Sequence, residues 1–422
     1  MGSITEVYSS VCKELKLRTN RYILEVLQET EGKTGDITLK LTGNDRLRKV
    51  EKVTNKDALA LSRTLRDNDS VTGLDLRYNC ITDEGAGHLA DLLKENVCLR
   101  SLDLTCNDIQ TDGAEYIAKS LTVCTVEVSN DALLSLRLTG NKIGNGGAMH
   151  FASMLQVNST LQVLDVADSD LGTQSVIAFA IVLNNNKSLR SVNISRPLLF
   201  SHQEETAVHL SGMLVVNQCL RELHLGKMGM TDFGVERLTD ALRTNYTLKY
   251  LDLRCNRVTR DGALCLAKVL KNNGTLEILD LASNRIEDDG ALYLSQAIAL
   301  PTCNLKALSI PSNNIATVGL VSLSRAMQAN NTLTHIYIWG NRLEEPVCQA
   351  FSDLLSSGRL SSEQTDVCVY EVDGCVCLAE VFHGLKRHYY WTPSYGQDVN
   401  PASNAALAFT NTQLHPNSSH TP

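Results

Sequence analysis

The stretch from Leu248 to Ile286 constrains the fold of this chain most, because it contains the same eleven-residue pattern twice. The two copies begin at Leu248 and Leu276, 28 residues apart, and read LxxLxLxxN with a further apolar residue two positions after the Asn. A fixed period of this length predicts a repeat protein, in which each unit packs against its neighbours and the core grows along the array.

The paired apolar residues of this pattern recur along most of the chain. At spacings of 28 to 34 residues, the ten pairs are Leu74/Leu76, Leu102/Leu104, Leu136/Leu138, Leu164/Val166, Val192/Ile194, Leu223/Leu225, Leu251/Leu253, Leu279/Leu281, Leu308/Ile310 and Ile336/Ile338. Seven of these units continue with an Asn, namely Asn79, Asn107, Asn141, Asn256, Asn284, Asn313 and Asn341. Because a buried amide both donates and accepts, we expect these side chains to form a hydrogen-bonded ladder through the turns.

The second half of each unit reads GAxxLAxxL and predicts a helix, as in the segments that begin at Gly85, Gly113 and Gly262. A helix is about 10 Å wide, whereas neighbouring strands lie about 4.8 Å apart. Strands on the inside and helices on the outside therefore bend the stack into a horseshoe with a concave strand face.

Units of 28 residues that combine LxxLxLxxN with GAxxLAxxL resemble the ribonuclease-inhibitor type of leucine-rich repeat over residues 36–360. The resemblance implies an α/β solenoid with a parallel concave sheet and outer helices, and it implies that partner proteins bind the concave face. The order of elements also resembles one family of leucine-rich repeat-containing proteins. That likeness implies a nuclear or nucleolar and cytoplasmic protein with a regulatory role in the differentiation of stem or germ cells.

The chain outside the repeats predicts two caps and a tail. Residues 1–35 contain helical patterns and predict an N-terminal cap, and 36–360 hold a divergent repeat and ten clear ones. Residues 361–385 place β-rich runs on both sides of Asp373-Gly374 and predict a hairpin cap. The Pro- and Asn-rich composition of residues 386–422 predicts a disordered tail.

Composition argues against several classes of function. The net charge of −8 disfavours direct nucleic-acid binding, and no apolar run reaches the length of a bilayer span. The 13 cysteines form no framework, which predicts reduced thiols, and Cys368, Cys375 and Cys377 do not match a zinc spacing. Without a phosphate-binding glycine loop or a nucleophile pattern, the sequence predicts no enzyme, no metal and no cofactor.

The residue between the paired apolar positions is expected to point into the concave face, because alternate strand side chains point oppositely. At five of the ten positions it is acidic: Asp75, Asp103, Asp165, Asp252 and Asp280. One interpretation is an acidic groove for a basic partner. The alternative is that Asp is common at this position because it accepts local hydrogen bonds.

The last strand offers a second candidate surface. His335, Tyr337 and Trp339 alternate, so all three are expected on the concave face as an aromatic anchor for a partner. The alternative is that the C-terminal segments fold over them as part of the cap.

Repeats four to six lack the ladder Asn and carry Ser169, Pro197 and Met228 instead. Their turns must differ, which predicts either an exposed apolar patch or a flattening of the array for a partner, or else drift in a tolerant central segment. Between repeats two and three, the extra residues at 123–130 predict a protruding loop.

These observations favour a non-enzymatic scaffold that binds partner proteins. One alternative is a structural component of a large assembly such as a ciliary or flagellar axoneme. Another is a small-GTPase regulator, because a GTPase-activating branch shares this type of repeat.

Overall fold

The computed structural model of the chain describes residues 3–33, 35–46, 48–122, 130–199 and 204–381. The chain forms two compact units, Met1–Phe200 and Ser201–Pro422. The predicted loop, apart from Asn130, and the predicted tail at 386–422 lie outside the described residues.

In its described residues, the first unit contains six parallel strands that alternate with helices. The strands are β1 (Ile37–Lys40), β2 (Val71–Asp75), β3 (Ser101–Asp103), β4 (Ser135–Arg137), β5 (Val163–Asp165) and β6 (Ser191–Asn193). The helices are α1 (Ile4–Glu14), α2 (Arg21–Thr30), α3 (Asn55–Leu65), α4 (Asp83–Glu95), α5 (Thr111–Ser120), α6 (Gly144–Leu155) and α7 (Thr173–Leu183).

The second unit contains five parallel strands, six helices and a terminal hairpin among its described residues. The parallel strands are β7 (Glu222–His224), β8 (Tyr250–Asp252), β9 (Ile278–Asp280), β10 (Ala307–Ser309) and β11 (His335–Tyr337). The helices are α8 (Glu205–Val216), α9 (Asp232–Leu242), α10 (Arg260–Leu270), α11 (Glu287–Ile298), α12 (Thr317–Ala329) and α13 (Glu345–Ser356). The hairpin strands are β12 (Val367–Val372) and β13 (Cys375–Glu380).

The paired apolar residues lie where the sequence pattern predicts them. Leu251 and Leu253 are both fully buried, and Leu251 aligns with Leu223 and Leu279 in the neighbouring strands. Each repeat therefore adds one strand and one helix to a continuous apolar layer within its unit, which confirms the predicted α/β leucine-rich-repeat fold. We call the side of each sheet opposite to these apolar residues the strand face.

The predicted Asn ladder is present in the turns that follow the strands. The side-chain amide of Asn107 donates to the carbonyl oxygens of Leu76 (2.9 Å) and Leu104 (3.0 Å), while its Oδ1 accepts from Ile81 N (3.1 Å). All seven predicted Asn side chains donate to a carbonyl oxygen of the preceding repeat. We call this set the strand-exit ladder.

A second ladder, which the sequence analysis missed, follows the helices. Asn245 is fully buried and donates to the carbonyl oxygens of Leu214 (2.8 Å) and Asn217 (2.9 Å). Its Oδ1 accepts from the backbone N–H groups of Thr247 (3.0 Å) and Leu248 (2.9 Å). Equivalent amides belong to Asn96, Asn130, Asn158, Asn186, Asn273 and Asn330. The sequence signal for this helix-exit ladder is an Asn three positions before the first Leu of a unit.

The first residue of several helices caps the next helix along the array. Asp232 Oδ1 accepts from Thr259 N (2.8 Å) and Gly262 N (3.0 Å), so its carboxylate lies at the N-terminus of α10. A Cβ at Gly262 would lie 2.6 Å from that oxygen. The recurrent Gly therefore makes room for the carboxylate of the neighbouring repeat, in addition to the close helix–strand approach that the pattern predicts.

The irregular repeats replace the missing ladder amides by different means. Ser169 Oγ donates to the carbonyl oxygens of Leu138 (3.2 Å) and Ala167 (3.0 Å), which takes over the donor role of an Asn. Met228 and Met230 are buried, and both backbone N–H groups donate to Asn256 Oδ1. Those two methionines therefore do not form the exposed apolar patch that their repeat suggested.

The termini contain additional elements. Ser3 and Glu6 form a capping box at the start of α1. The antiparallel strands β12 and β13 are joined by Asp373 and Gly374, both with positive φ. Among the described residues, no helix has the length and apolar character needed to cross a membrane.

The described cysteines are free thiols. Cys80, Cys106 and Cys255 lie in the turns after strands rather than within strands or helices. In the hairpin, Cys375 is exposed and Cys377 is half-buried.

Candidate functional site

The acidic residues of the strand face bind the backbone of the turn that follows them. In each of the five, one carboxylate oxygen accepts from the N–H two residues later, at 3.0 to 3.2 Å; they are Asp75, Asp103, Asp165, Asp252 and Asp280. Asp103 is half-buried and the other four are buried. The row therefore has a local structural role, and its role as a partner contact stays a prediction.

In the first unit, two of these carboxylates lie on either side of Arg77. Arg77 donates to Asp75 through Nε (2.9 Å) and Nη2 (2.7 Å), and its Nε lies 3.6 Å from Asp103 Oδ2. Burial, followed by the neighbouring charge of Asp75, raises the pKa of Asp103. The third acidic residue of this unit, Asp165, aligns with Arg137 and Asn193 in the adjacent strands.

In the second unit, a buried histidine lies between two carboxylates. His224 Nε2 is 3.3 Å from Glu222 Oε2, and Nδ1 is 3.4 Å from Asp252 Oδ2. Burial alone would lower the pKa of His224, but its contacts with Asp252 and Glu222 outweigh burial and raise the pKa to about 9. The imidazole is therefore a protonated, positively charged group near neutral pH, held in place on both sides.

The adjacent carboxylates Asp252 and Asp280 have opposite environments. Burial opposes the ionisation of Asp252, yet Arg254 at 2.7 Å and His224 together hold the pKa of Asp252 below its ordinary value. Burial and then the charge of Asp252 raise the pKa of Asp280 to about 6. Equal position in the repeat therefore does not give equal charge.

The aromatic residues of the last strand are only partly brought together. The rings of His335 and Tyr337 lie 6.5 Å apart and both side chains are buried, whereas Trp339 is half-buried and follows the end of β11. The carboxylate of Asp366 accepts from the N–H groups of Ile338 (2.8 Å) and Trp339 (3.0 Å). Asp366, just before the hairpin, therefore binds the backbone at the end of the last strand, and whether the aromatic side chains bind a partner or belong to the cap stays a prediction.

Burial also bears on what the strand face can do chemically. Burial lowers the pKa of His335 to about 4, so this imidazole is neutral at physiological pH. Within the described ranges, no three His, Cys, Asp or Glu side chains are arranged to hold a metal ion. The predicted hairpin cysteines belong to those ranges, whereas His383 and His388 lie outside them.

Two residues that contact the strand-face side chains or the last strand were not predicted from the sequence. Glu222 supplies one of the two carboxylates beside His224, and Asp366 binds the end of the last strand. A sequence signal exists only for Glu222, which stands two positions before His224 and so shares its face of the strand.

Comparison with known proteins places the chain among leucine-rich repeat proteins. A family model described as a leucine-rich repeat matches residues 67–90, 95–118, 130–152, 157–180, 244–267 and 272–295. These matches include the two copies of the pattern that begin at Leu248 and Leu276, and they omit most of the irregular repeats four to six. An array of this kind suggests a module for protein–protein interaction.

Full-length relatives give a finer match. The chain is 46% identical to leucine-rich repeat-containing protein 34 of Mus musculus over 413 residues, covering 97% of this chain and 98% of that protein. It is 47% identical to the Homo sapiens protein of the same name over 406 residues, covering 95% of this chain and 86% of that protein. A solved Listeria monocytogenes internalin superposes with a TM-score of 0.43 at 16% identity, covering 87% of this chain and 98% of that chain.

Proposed function

Because the chain belongs to the family of leucine-rich repeat-containing protein 34, we propose that it is a non-enzymatic scaffold that binds partner proteins on its strand face. The observation that carries the proposal is the register of the strands. His224, Asp252 and Asp280 align across β7, β8 and β9, and Ser309 and Tyr337 continue the same row. These residues form one regular polar row across the described strands of the second unit, and a partner would lie along that row.

The proposed function includes a cellular address. We propose a nuclear or nucleolar and cytoplasmic protein that regulates differentiation in stem or germ cells, with neither direct nucleic-acid nor membrane contact. The likeness to the family supports this address, and the net charge of −8 is consistent with protein rather than nucleic-acid partners. Imaging of the endogenous protein in germ cells tests the address; staining confined to an axoneme would contradict it.

Proximity labelling with the full chain in its native tissue tests partner binding. We expect a reproducible set of labelled proteins that is lost when His335 and Trp339 are both replaced by Ala. Tyr116→Ala is the matched control, since this exposed aromatic residue lies on helix α5 rather than on the strand face. No set of proteins above background, or equal loss with Tyr116→Ala, would refute the proposal.

A further inference from the structure

Strand β12 of the terminal hairpin has an exposed and unprotected edge. Five of its six residues are exposed, and the apolar side chains among them include Val369 (39%), Tyr370 (46%) and Val372 (50%). Exposed edge strands in proteins are usually blunted by a lysine, a proline or a bulge, because they otherwise pair with another chain. The strand Val367–Val372 contains neither lysine nor proline, and its register with β13 is regular from end to end. Its outer edge is therefore open to pairing.

The register of the hairpin shows which backbone groups of β12 face outward. The carbonyl oxygen of Asp366 accepts from Val381 N (3.0 Å), so the even-numbered residues of β12 are those that hydrogen-bond to β13. The N–H and C=O groups of the odd-numbered residues Val369 and Glu371 therefore point away from β13. Among the described residues, β13 is the one strand that pairs with β12, so no described strand lies beside this outer edge.

The other strand of the hairpin is anchored to the repeat array. β13 packs against α13, and Leu378 of β13 is buried. β12 is joined to β13 by the turn at Asp373 and Gly374 and pairs with it along its whole length. The outer edge of β12 is thus already extended before anything binds to it, which lowers the entropic cost of adding a further strand.

We propose that β12 pairs antiparallel with β12 of a second copy of this chain, about a two-fold axis at Tyr370. The two hairpins then form one four-stranded sheet. Such an interface uses the same surface on both copies, as a two-fold axis requires. With the axis at Tyr370, Val369 of each copy faces Glu371 of the other, and each of these pairs exchanges both of its main-chain hydrogen bonds.

The side chains of β12 are complementary to themselves in this register. Tyr370 lies opposite its own copy in a non-hydrogen-bonded pair, where side chains are closest, and Cys368 lies opposite Val372. Aromatic and apolar pairs across neighbouring strands stabilise a sheet. The single charged residue, Glu371, lies opposite Val369 rather than opposite its own copy, so no like charges face each other. A second copy therefore satisfies the edge without any other sequence.

The other two-fold registers are less favourable. An axis at Glu371 would place two carboxylates directly opposite each other. An axis at Val369 would place Glu371 of the copy beside Val367, which is fully buried. These costs leave Tyr370 as the residue at the axis.

This inference goes beyond the proposed function, because it concerns the hairpin and not the strand face. Self-association and the binding of partner proteins are measured separately, so each can fail while the other stands.

Analytical ultracentrifugation of the full chain, under reducing conditions and over a range of concentrations, tests self-association. We expect a reversible monomer–dimer equilibrium, and about tenfold or more weaker association for Tyr370→Lys, since two ammonium groups would meet at the axis. Tyr246→Lys is the matched control, because Tyr246 is another exposed tyrosine of the same unit and lies outside the hairpin. A monomer at every concentration, or equal weakening by Tyr246→Lys, would overturn the inference.

A disulfide tests the position of the axis. The background chain carries Ser in place of the hairpin cysteines, Cys368, Cys375 and Cys377. In this background Tyr370→Cys places two Cα atoms about 4.5 Å apart across the axis, which suits a disulfide, so oxidised glutathione should give a covalent dimer. Val372→Cys is the control, because its two copies would lie about 14 Å apart. Equal yields of covalent dimer from the two variants would show that the proposed register is wrong.

Discussion

The turns and the strand face both repeat a buried polar residue at a fixed spacing, but they use it differently. In the turns, Asn245 satisfies two carbonyl oxygens and two N–H groups, so its amide is saturated by the protein. On the strand face, each of the five Asp residues binds one backbone N–H, and the side chains around the carboxylate differ between Asp75, Asp252 and Asp280. Asp252 meets cations, whereas Asp280 meets Ser309 and the negative charge of Asp252.

This difference separates structural repetition from positions available for recognition. A saturated amide has no remaining capacity for a ligand, and its replacement affects folding. A carboxylate keeps a charge that its neighbours in each repeat can favour or oppose. The spacing of a repeated polar residue is therefore weak evidence for a site, and the partner of its second polar atom is stronger evidence.

The largest effect is expected at the helix-exit ladder. Asn245→Ala leaves four buried backbone groups without their partner, at about 1 kcal/mol or more each, so we expect at least about 4 kcal/mol of destabilisation in urea unfolding. Asn272→Ala is the control, because this exposed Asn lies beside the equivalent ladder residue Asn273. Comparable losses for the two variants would contradict a saturated structural role.

The next effect concerns the paired carboxylate of the strand face. Asp252→Asn removes the charge that faces both Arg254 and His224, and we expect a loss of about 3 kcal/mol at pH 7. The pKa of His224 should fall below its value of about 9, because one of its two carboxylate neighbours is gone. NMR titration of the imidazole measures this change; an unaltered pKa would show that Glu222 alone holds the proton.

Asp280→Asn should change the free energy of unfolding in the opposite direction and stabilise the protein at pH 7. The folded-state pKa of Asp280 is raised to about 6, so between its unfolded value and pH 6 the native state binds more protons than the unfolded state. Stability from this group is therefore greatest at low pH and falls as pH rises through that window. At pH 7 we expect Asp280→Asn to stabilise the free chain by about 1–3 kcal/mol and to flatten the pH dependence.

Urea unfolding of wild type and Asp280→Asn from pH 4 to pH 8 measures both effects. Asp165→Asn is the comparison, because Asp165 occupies the same position in its repeat and makes the same backbone hydrogen bond. Destabilisation by Asp280→Asn at pH 7 would show that its carboxylate is compensated, which would remove the distinction between Asp280 and Asp252.

The sequence predicted the parts of the fold that depend on local periodicity. Paired apolar residues located the strands of the ten clear repeats, and the Asn after them located the strand-exit ladder. The helix-exit ladder was equally periodic, as at Asn245, but its Asn lies before the leucine pattern and was not counted as part of the unit.

The site was less predictable, because its properties depend on which charges meet across strands. Asp252 and Asp280 occupy the same pattern position, yet their pKa values shift in opposite directions. That outcome depends on Arg254 and His224, whose distances follow from strand register and burial rather than from spacing in the sequence. The position of Asp366 beside the last strand likewise required the path of the chain after α13.

The smallest effect on stability is expected at Trp339, just after the last strand ends. Trp339 is half-buried, and the contact of its backbone N–H with Asp366 does not require the indole ring. Trp339→Ala should therefore change the free energy of unfolding by no more than about 1 kcal/mol while it weakens partner recovery. A large fall in melting temperature would assign the indole to the cap instead.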